Sequence, residues 1–211
     1  MDQDQSATVV TFMDWERAAR VIRDIGQLEA DASLVIGPLS DRMISAAIEA
    51  LGKEVTAPWQ IVEGDWLARI VRPEWKMAKG VGTGDAWLEL AEIGPEDEEG
   101  FSWINVAIGA GLTRLGLELV FRRGLQDLAE AALEDDKLLA PLVKQGMVCS
   151  EVAPRLFFPI DIQAELLAQG FEMNDLDKAL APVGQATKKA LAAKADLDRL
   201  IGAVRSAATR K

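Results

Sequence analysis

Two segments of this chain carry apolar residues at alternate positions. Leu88 and Leu90 fall in step within Trp87 to Ile93, and Leu115, Leu117, Leu119 and Phe121 do so within Leu115 to Phe121. Successive side chains of an extended strand point to opposite sides, so this spacing predicts a sheet with one apolar face. A slip of one residue would turn that face into water, which specifies the pairing tightly. Trp103 to Ile108 shows the same step through Ile104, Val106 and Ile108 and is expected to be a third strand between the other two. Aligning the apolar faces sets Leu90 opposite Ile104 and Val106 opposite Leu117. The other face then carries Glu89, Asn105 and Glu118 in a row, with Trp87 and Trp103 nearby.

The period of two begins at Pro58. "WQIVEGDWLARIVRPEWKM" reads as one or two strands broken near Gly64, and "GVGTG" as a flexible connection. Consecutive strands with short connections pair as an antiparallel meander, because a parallel pair needs a long crossover. The expected fold class is therefore α+β: four to six strands over residues 58–121, packed by helices from both chain ends.

Those helices carry their own signals. After the apolar "TVVTF", Asp14 is an N-cap candidate, followed by Ala18, Ala19, Ile22 and Ile25 at helical spacing and Gly26 as a stop. A second helix has Pro38 in its first turn, Leu39, Met43, Ala47, Ile48 and Leu51 on one face, and Gly52 at its end. Leu125 to Val143 suggests two short helices before a Gly146 stop. "APRLFFPID" suggests an edge strand, since prolines bracket it. Asp161 is expected to cap a helix running to Gly170. From Leu176 the stripe Leu180, Val183, Thr187, Ala190, Lys194, Leu197, Ile201, Val204 and Ala208 keeps helical steps, with Pro182 as a break or a fresh start.

At 211 residues, 49% hydrophobic and 27% charged, the chain suits a single globular domain over 1–211. The basic, alanine-rich stretch 182–211 is either part of that domain or a semi-independent appendage. No apolar run reaches membrane-spanning length, and the acidic start "MDQDQ" lacks the basic region of a signal peptide, so no membrane is expected. The lone Cys149 suits a reducing cytoplasm. The absence of histidine and tyrosine excludes Ser-His-Asp triads, histidine zinc sites and tyrosine nucleophiles.

The net charge of −11 opposes general binding to a phosphate backbone. Charge is also segregated: from Ala186 onward seven basic residues face two acidic ones, a tail suited to folding back on an acidic body.

Four places could hold a function. The run Glu96, Asp97, Glu98, Glu99 lacks the alternating ligands of a calcium loop and reads as the solvated tip of a hairpin. Glu89 and Glu118 could hold magnesium or act as an acid–base pair, which would suit a nuclease-like phosphate-ester hydrolase; yet Ala91 stands where the Asp85 and Glu89 pattern needs a lysine. Arg69, Arg72 and Lys76 lie among Trp66 and Trp75, the ingredients of single-stranded nucleic-acid binding, in an acidic setting that favours salt bridges instead. Trp87 and Trp103, with Asn105 between the carboxylates, could form an aromatic platform for a protein partner. "KGVGTG" and "GAGLTRLG" lack the context of phosphate loops. The expectation is a non-catalytic, cytoplasmic interaction or regulatory protein that binds a macromolecular partner through Trp87, Trp103 and Asn105, without a cofactor. Magnesium-dependent hydrolysis and single-stranded nucleic-acid binding are the alternatives, and a homo-oligomer stays open.

Overall fold

The computed structural model describes residues 15–63, 68–75, 84–95, 100–150 and 154–210. The described residues begin with α1 (Trp15–Arg23) and α2 (Ile25–Leu34), continue through a π-helical turn (Val35–Leu39) into α3 (Ser40–Glu54), and then form β1 (Gln60–Glu63), β2 (Ala68–Val71) and β3 (Ala86–Ile93). A short helix α4 (Trp103–Ala107) precedes β4 (Arg114–Phe121). Then come α5 (Gln126–Leu133), α6 (Asp136–Lys144), β5 (Val148–Cys149), β6 (Leu156–Pro159), α7 (Ala164–Met173), α8 (Ala181–Ala192) and α9 (Lys194–Ala208).

The strands make one six-stranded sheet in the order β1-β2-β3-β4-β6-β5, antiparallel at every pairing. The fold is α+β, as the alternation predicts. Leu88 pairs with Leu119 and Leu90 with Leu117, so the aliphatic faces coincide. These four residues, Ile70, Leu115, Leu156 and Phe158 enter one buried cluster with side chains of α3 to α9.

One expected strand is a helix. The segment Trp103 to Ile108 forms α4 over Trp103–Ala107, with Ile108 as its C-cap, closed at both ends by local chemistry. The Ser102 hydroxyl accepts the Asn105 N–H at 3.1 Å, which caps the N-terminus. At the other end Gly109 takes φ +62°. There the Gly109 N–H bonds the Val106 carbonyl and the Ala110 N–H bonds the Asn105 carbonyl, a Schellman stop. Val106 is buried and Ile104 packs on the core, but from a helix. β3 therefore pairs with β4 directly, and the proposed pairings of Leu90 with Ile104 and Val106 with Leu117 do not exist.

Smaller corrections follow the same logic. Gly26 lies inside α2, because the break falls at Asp24 (φ −100°, ψ 7°). Pro38 lies inside the π-helical turn rather than opening a helix, and the Ser40 hydroxyl satisfies the Val35 carbonyl at 2.7 Å. The following helix runs past Gly52 to Glu54. β6 is no edge strand: β4 flanks it on one side and the two-residue β5 on the other. Asp161 is not the cap: Ile160 and Ile162 on either side of it are buried, and α7 starts after Gln163 and runs beyond Gly170 to Met173. The expected cap Asp14, "TVVTF" and most of "GVGTG" lie outside the described residues.

The C-terminal stripe is buried at Leu176, Leu180, Val183, Thr187 and Ala190, then again at Leu197, Ile201 and Val204. Lys194 is exposed, at the junction where α8 gives way to α9. The buried Thr187 hydroxyl donates to the Val183 carbonyl at 2.9 Å. Among the described residues no helix is long and apolar enough to cross a membrane.

Candidate functional site

The face of the sheet opposite the aliphatic core carries a row of paired charges. In register, Arg69 on β2 meets Glu89 on β3, which meets Glu118 on β4, which meets Phe157 on β6. Two carboxylates directly opposite one another repel, and here each is neutralised separately. Arg69 Nε donates to Glu89 Oε2 at 2.9 Å, and Trp87 Nε1 donates to the same oxygen at 2.6 Å. The Arg69 guanidinium also lies 4.9 Å above the Trp87 ring, a cation–π contact. Arg155 grips Glu118 with two parallel bonds, Nε to Oε1 at 2.8 Å and Nη2 to Oε2 at 2.5 Å. The bond to Glu118 raises the guanidinium pKa above its ordinary value, against the lowering effect of burial.

Beside this row Gly116 lets two side chains close over the backbone. A Cβ there would stand 2.8 Å from Phe157 Cδ2 and 2.9 Å from Ile93 Cγ1. Ala91, Ile93 and Phe157 form a small buried cluster of their own on this face.

Glu89 and Glu118 thus pair directly, without the expected Asn105 strand between them, and Arg69 and Trp87 occupy Oε2 of Glu89 while Arg155 occupies both oxygens of Glu118. A cation would have to displace these donors. Among the described residues no group of three or more Asp, Glu or Cys has the geometry of a metal site. Asn105 is not part of the row. It sits on α4, where its backbone N–H serves the Ser102 cap. Trp103 packs on the core cluster from the same helix, whereas Trp87 lies on the opposite face and is only 8% exposed. The two indoles do not form one platform.

The basic residues are likewise separated. Arg69 belongs to the charged row, and Arg72 is 2% exposed in the interior. There its Nη1 bonds both oxygens of Asp198, at 2.6 and 2.8 Å, and its Nη2 lies 3.1 Å from Glu74. Its guanidinium is 5.0 Å from the Trp59 ring and 5.9 Å from that of Trp75, and these two indoles meet edge to face. Lys76, Trp66 and the run Glu96 to Glu99 lie outside the described residues. At the same end of the sheet, buried Asp85 accepts from Arg122 and from Arg205, each at 2.7 Å. Asp198 and Arg205 both belong to α9, so the two buried centres tie that helix to the sheet. No local pattern could have shown contacts between residues so far apart in the chain.

Between α3 and α8 lies an open groove of about 280 Å³ lined by Lys53, Glu54, Asp177 and Lys188. Its charges pair with one another, Lys53 with Asp177 at 2.8 Å and Lys188 with Glu54 at 3.2 Å.

Among the described residues, six of the exposed large hydrophobics fall on the N-terminal helices: Val21, Ile22, Ile25, Leu28, Leu34 and Ile36. From Arg17 to Leu39 no described side chain is fully buried. Hydrogen bonds of α-helical type continue across Asp24, whose N–H donates to the Arg20 carbonyl and whose carbonyl accepts from Leu28, both at 3.0 Å. The result is one helical arm of roughly seven turns, about 37 Å long. It meets the body where the π-helical turn touches α3 and α4. Along it Ala18, Val21, Ile25, Leu28, Ala32, Val35 and Leu39 recur in strict steps of three and four. Val21, Ile25 and Leu28 are exposed, and so are Ile22, at 72%, and Ile36. The stripe is visible in the sequence, but Gly26 and Pro38, residues that commonly stop and start helices, interrupt it.

No family model matches this chain, and no curated protein or solved structure matches it either.

Proposed function

We propose that this is a non-catalytic, cytoplasmic interaction protein whose partner is another protein chain, engaged through the helical arm of α1 and α2. The supporting observation is the apolar stripe from Val21 to Ile36, left in solvent on an arm that contributes nothing to the core. An amphipathic helix is stable in water only when its apolar face meets another surface. Large exposed apolar patches on soluble proteins mark contact sites.

The arm, rather than the tryptophan-bearing sheet face, supports this function, since Trp87 is covered and Trp103 faces the core. Nucleic acid is disfavoured as the partner by the net charge of −11 and by the engagement of Arg69 and Arg72 with carboxylates. The lone Cys149 suits a reducing compartment.

Photo-crosslinking side chains placed at Ile22, Leu28 and Ile36 test this. In the native cell they should give discrete protein adducts, while the same group at the exposed Val148 on the sheet edge should not. Absence of arm-specific adducts would remove the proposal.

A further inference from the structure

We infer that the partner of the arm is a second copy of the same arm, docked antiparallel to form a two-fold symmetric dimer. This rests on the interaction function proposed above and names its partner.

The spacing of the stripe suits a helix as the occupant. Steps of three and four between Ala18, Val21, Ile25, Leu28, Ala32, Val35 and Leu39 average 3.5 residues. That is the repeat of helices that interlock side by side, each seam residue entering a hole on the facing helix. The C-terminal stripe keeps the same steps where it packs on the body, so the spacing calls for a facing apolar surface and the charges select which one. Ala18 and Ala32 let two backbones approach closely, and Ile22 and Ile36 widen the seam on one side.

The charges point to the arm itself, and to its direction. α1 carries Arg17, Arg20 and Arg23 against Glu16, a surplus of two positive charges. From Asp24 to Leu34 the charged residues are Asp24, Glu29 and Asp31, all negative. One arm is thus basic at its outer half and acidic at its inner half. Laid antiparallel on a copy of itself, each basic half meets an acidic half. Laid parallel, like meets like along the whole length, and that juxtaposition is unfavourable.

The attachment of the arm gives the same direction. The body joins it at the C-terminal end, through the turn that touches α3 and α4. An antiparallel pair sends the two bodies to opposite ends of the helix pair, while a parallel pair brings both to one end. A patch that is complementary to itself under a two-fold rotation closes as a dimer and does not propagate.

The full chain is measured by sedimentation across a concentration series, beside the triple variant Ile22→Glu/Ile25→Glu/Leu28→Glu. These side chains are exposed, so the variant should keep the thermal unfolding of the body. Orientation is read on a Cys149→Ser background with a short bis-maleimide: a mixture of Ala18→Cys and Ala32→Cys chains should crosslink, and Ala18→Cys chains alone should not. The inference requires a concentration-dependent dimer, a monomeric triple variant and the mixed crosslink. A wild-type chain that stays monomeric, or a triple variant that stays dimeric, overturns it. Crosslinking of Ala18→Cys to itself overturns the antiparallel arrangement. A monomeric chain whose arm is photo-crosslinked to a different protein overturns the dimer and leaves the interaction function standing; no adduct at all overturns both.

Discussion

Asp198 on α9 accepts two donors that come from the far end of the sheet: the guanidinium of Arg72 and, at 2.7 Å, the indole N–H of Trp75. Arg72 is almost entirely buried, so the ion pair is asymmetric. The carboxylate keeps contact with water, and the cation does not. Removing the acid would leave a charge in the interior with Glu74 as its remaining ion-pair partner and the Trp75 N–H without its acceptor.

Asp198→Ala is therefore expected to cost about 2–4 kcal/mol of unfolding free energy, somewhat below the ~3–5 kcal/mol for stranding one member of a fully buried pair, because Asp198 itself is part-exposed. The change should persist at high salt, because buried pairs are little screened. Replacing both members, Arg72→Met with Asp198→Leu, should recover at least half of the loss, since the buried charge is then gone. Urea denaturation of the two variants beside the wild type checks this. A double variant as unstable as Asp198→Ala would show that packing of the long arginine stem, not its charge, is what matters.

The charged row on the outer face leads to a second prediction, about cations. With Arg155 in place, both Glu118 oxygens are hydrogen-bonded. Millimolar magnesium should therefore leave the thermal unfolding of the wild-type protein unmoved. Arg155→Ala should lose about 1–3 kcal/mol, as expected for charge-assisted bonds at a half-buried site. A rise in wild-type melting temperature with magnesium that disappears in Glu118→Gln would instead support the hydrolase alternative.

The sheet was legible because its information is local and periodic. Leu88, Leu90, Leu117 and Leu119 each announce a side of the strand, but which strands face each other depended on the segment between them, and the pairs Leu88–Leu119 and Leu90–Leu117 form because that segment is not a strand. The error at Trp103 to Ile108 has a simple cause. A five-residue helix is too short to display its own period, so an alternating run of apolar residues imitates a strand. The decisive letters were the flanking ones, Ser102 as a cap and Gly109 as a stop. Gly146, which does end a helix, sends the same signal at φ +95°. The buried ion pairs were illegible for a different reason. Nothing near Arg72 indicates an aspartate on the last helix, because only the folded topology brings them together.

Cys149 gives a prediction in pH. Burial raises its thiol pKa above the ordinary 9.0 by disfavouring the charged thiolate. A group whose folded pKa is raised contributes stability that is complete below the unfolded value and is lost as pH climbs through the folded one. Stability should thus decline above about pH 9, and Cys149→Ser should remove that part of the decline. At about pH 8 iodoacetamide should label the native thiol more slowly than the urea-unfolded one, since the thiolate is the reactive form. Equal rates would mean that the thiol is not shielded in the fold.

Gly116 provides the sharpest test of how the outer face is covered. It lies in β4 opposite Ala91 and Pro159, with Phe157 and Ile93 folded over it where a side chain would otherwise stand. Gly116→Ala would ordinarily stabilise a strand by stiffening the unfolded chain. Here the added methyl meets both neighbours closer than van der Waals contact allows. Phe157 pairs between β4 and β5 and has little freedom to move. The variant is therefore expected to lose about 1–3 kcal/mol, the usual range for overpacking. Shortening the ring in Gly116→Ala/Phe157→Leu should be less destabilising than the two single changes added together, because the leucine vacates the space that the methyl needs. A double-mutant cycle in urea measures that coupling. Additivity within error would mean that the ring does not rest on Gly116, and that the covered state of this face must come from elsewhere.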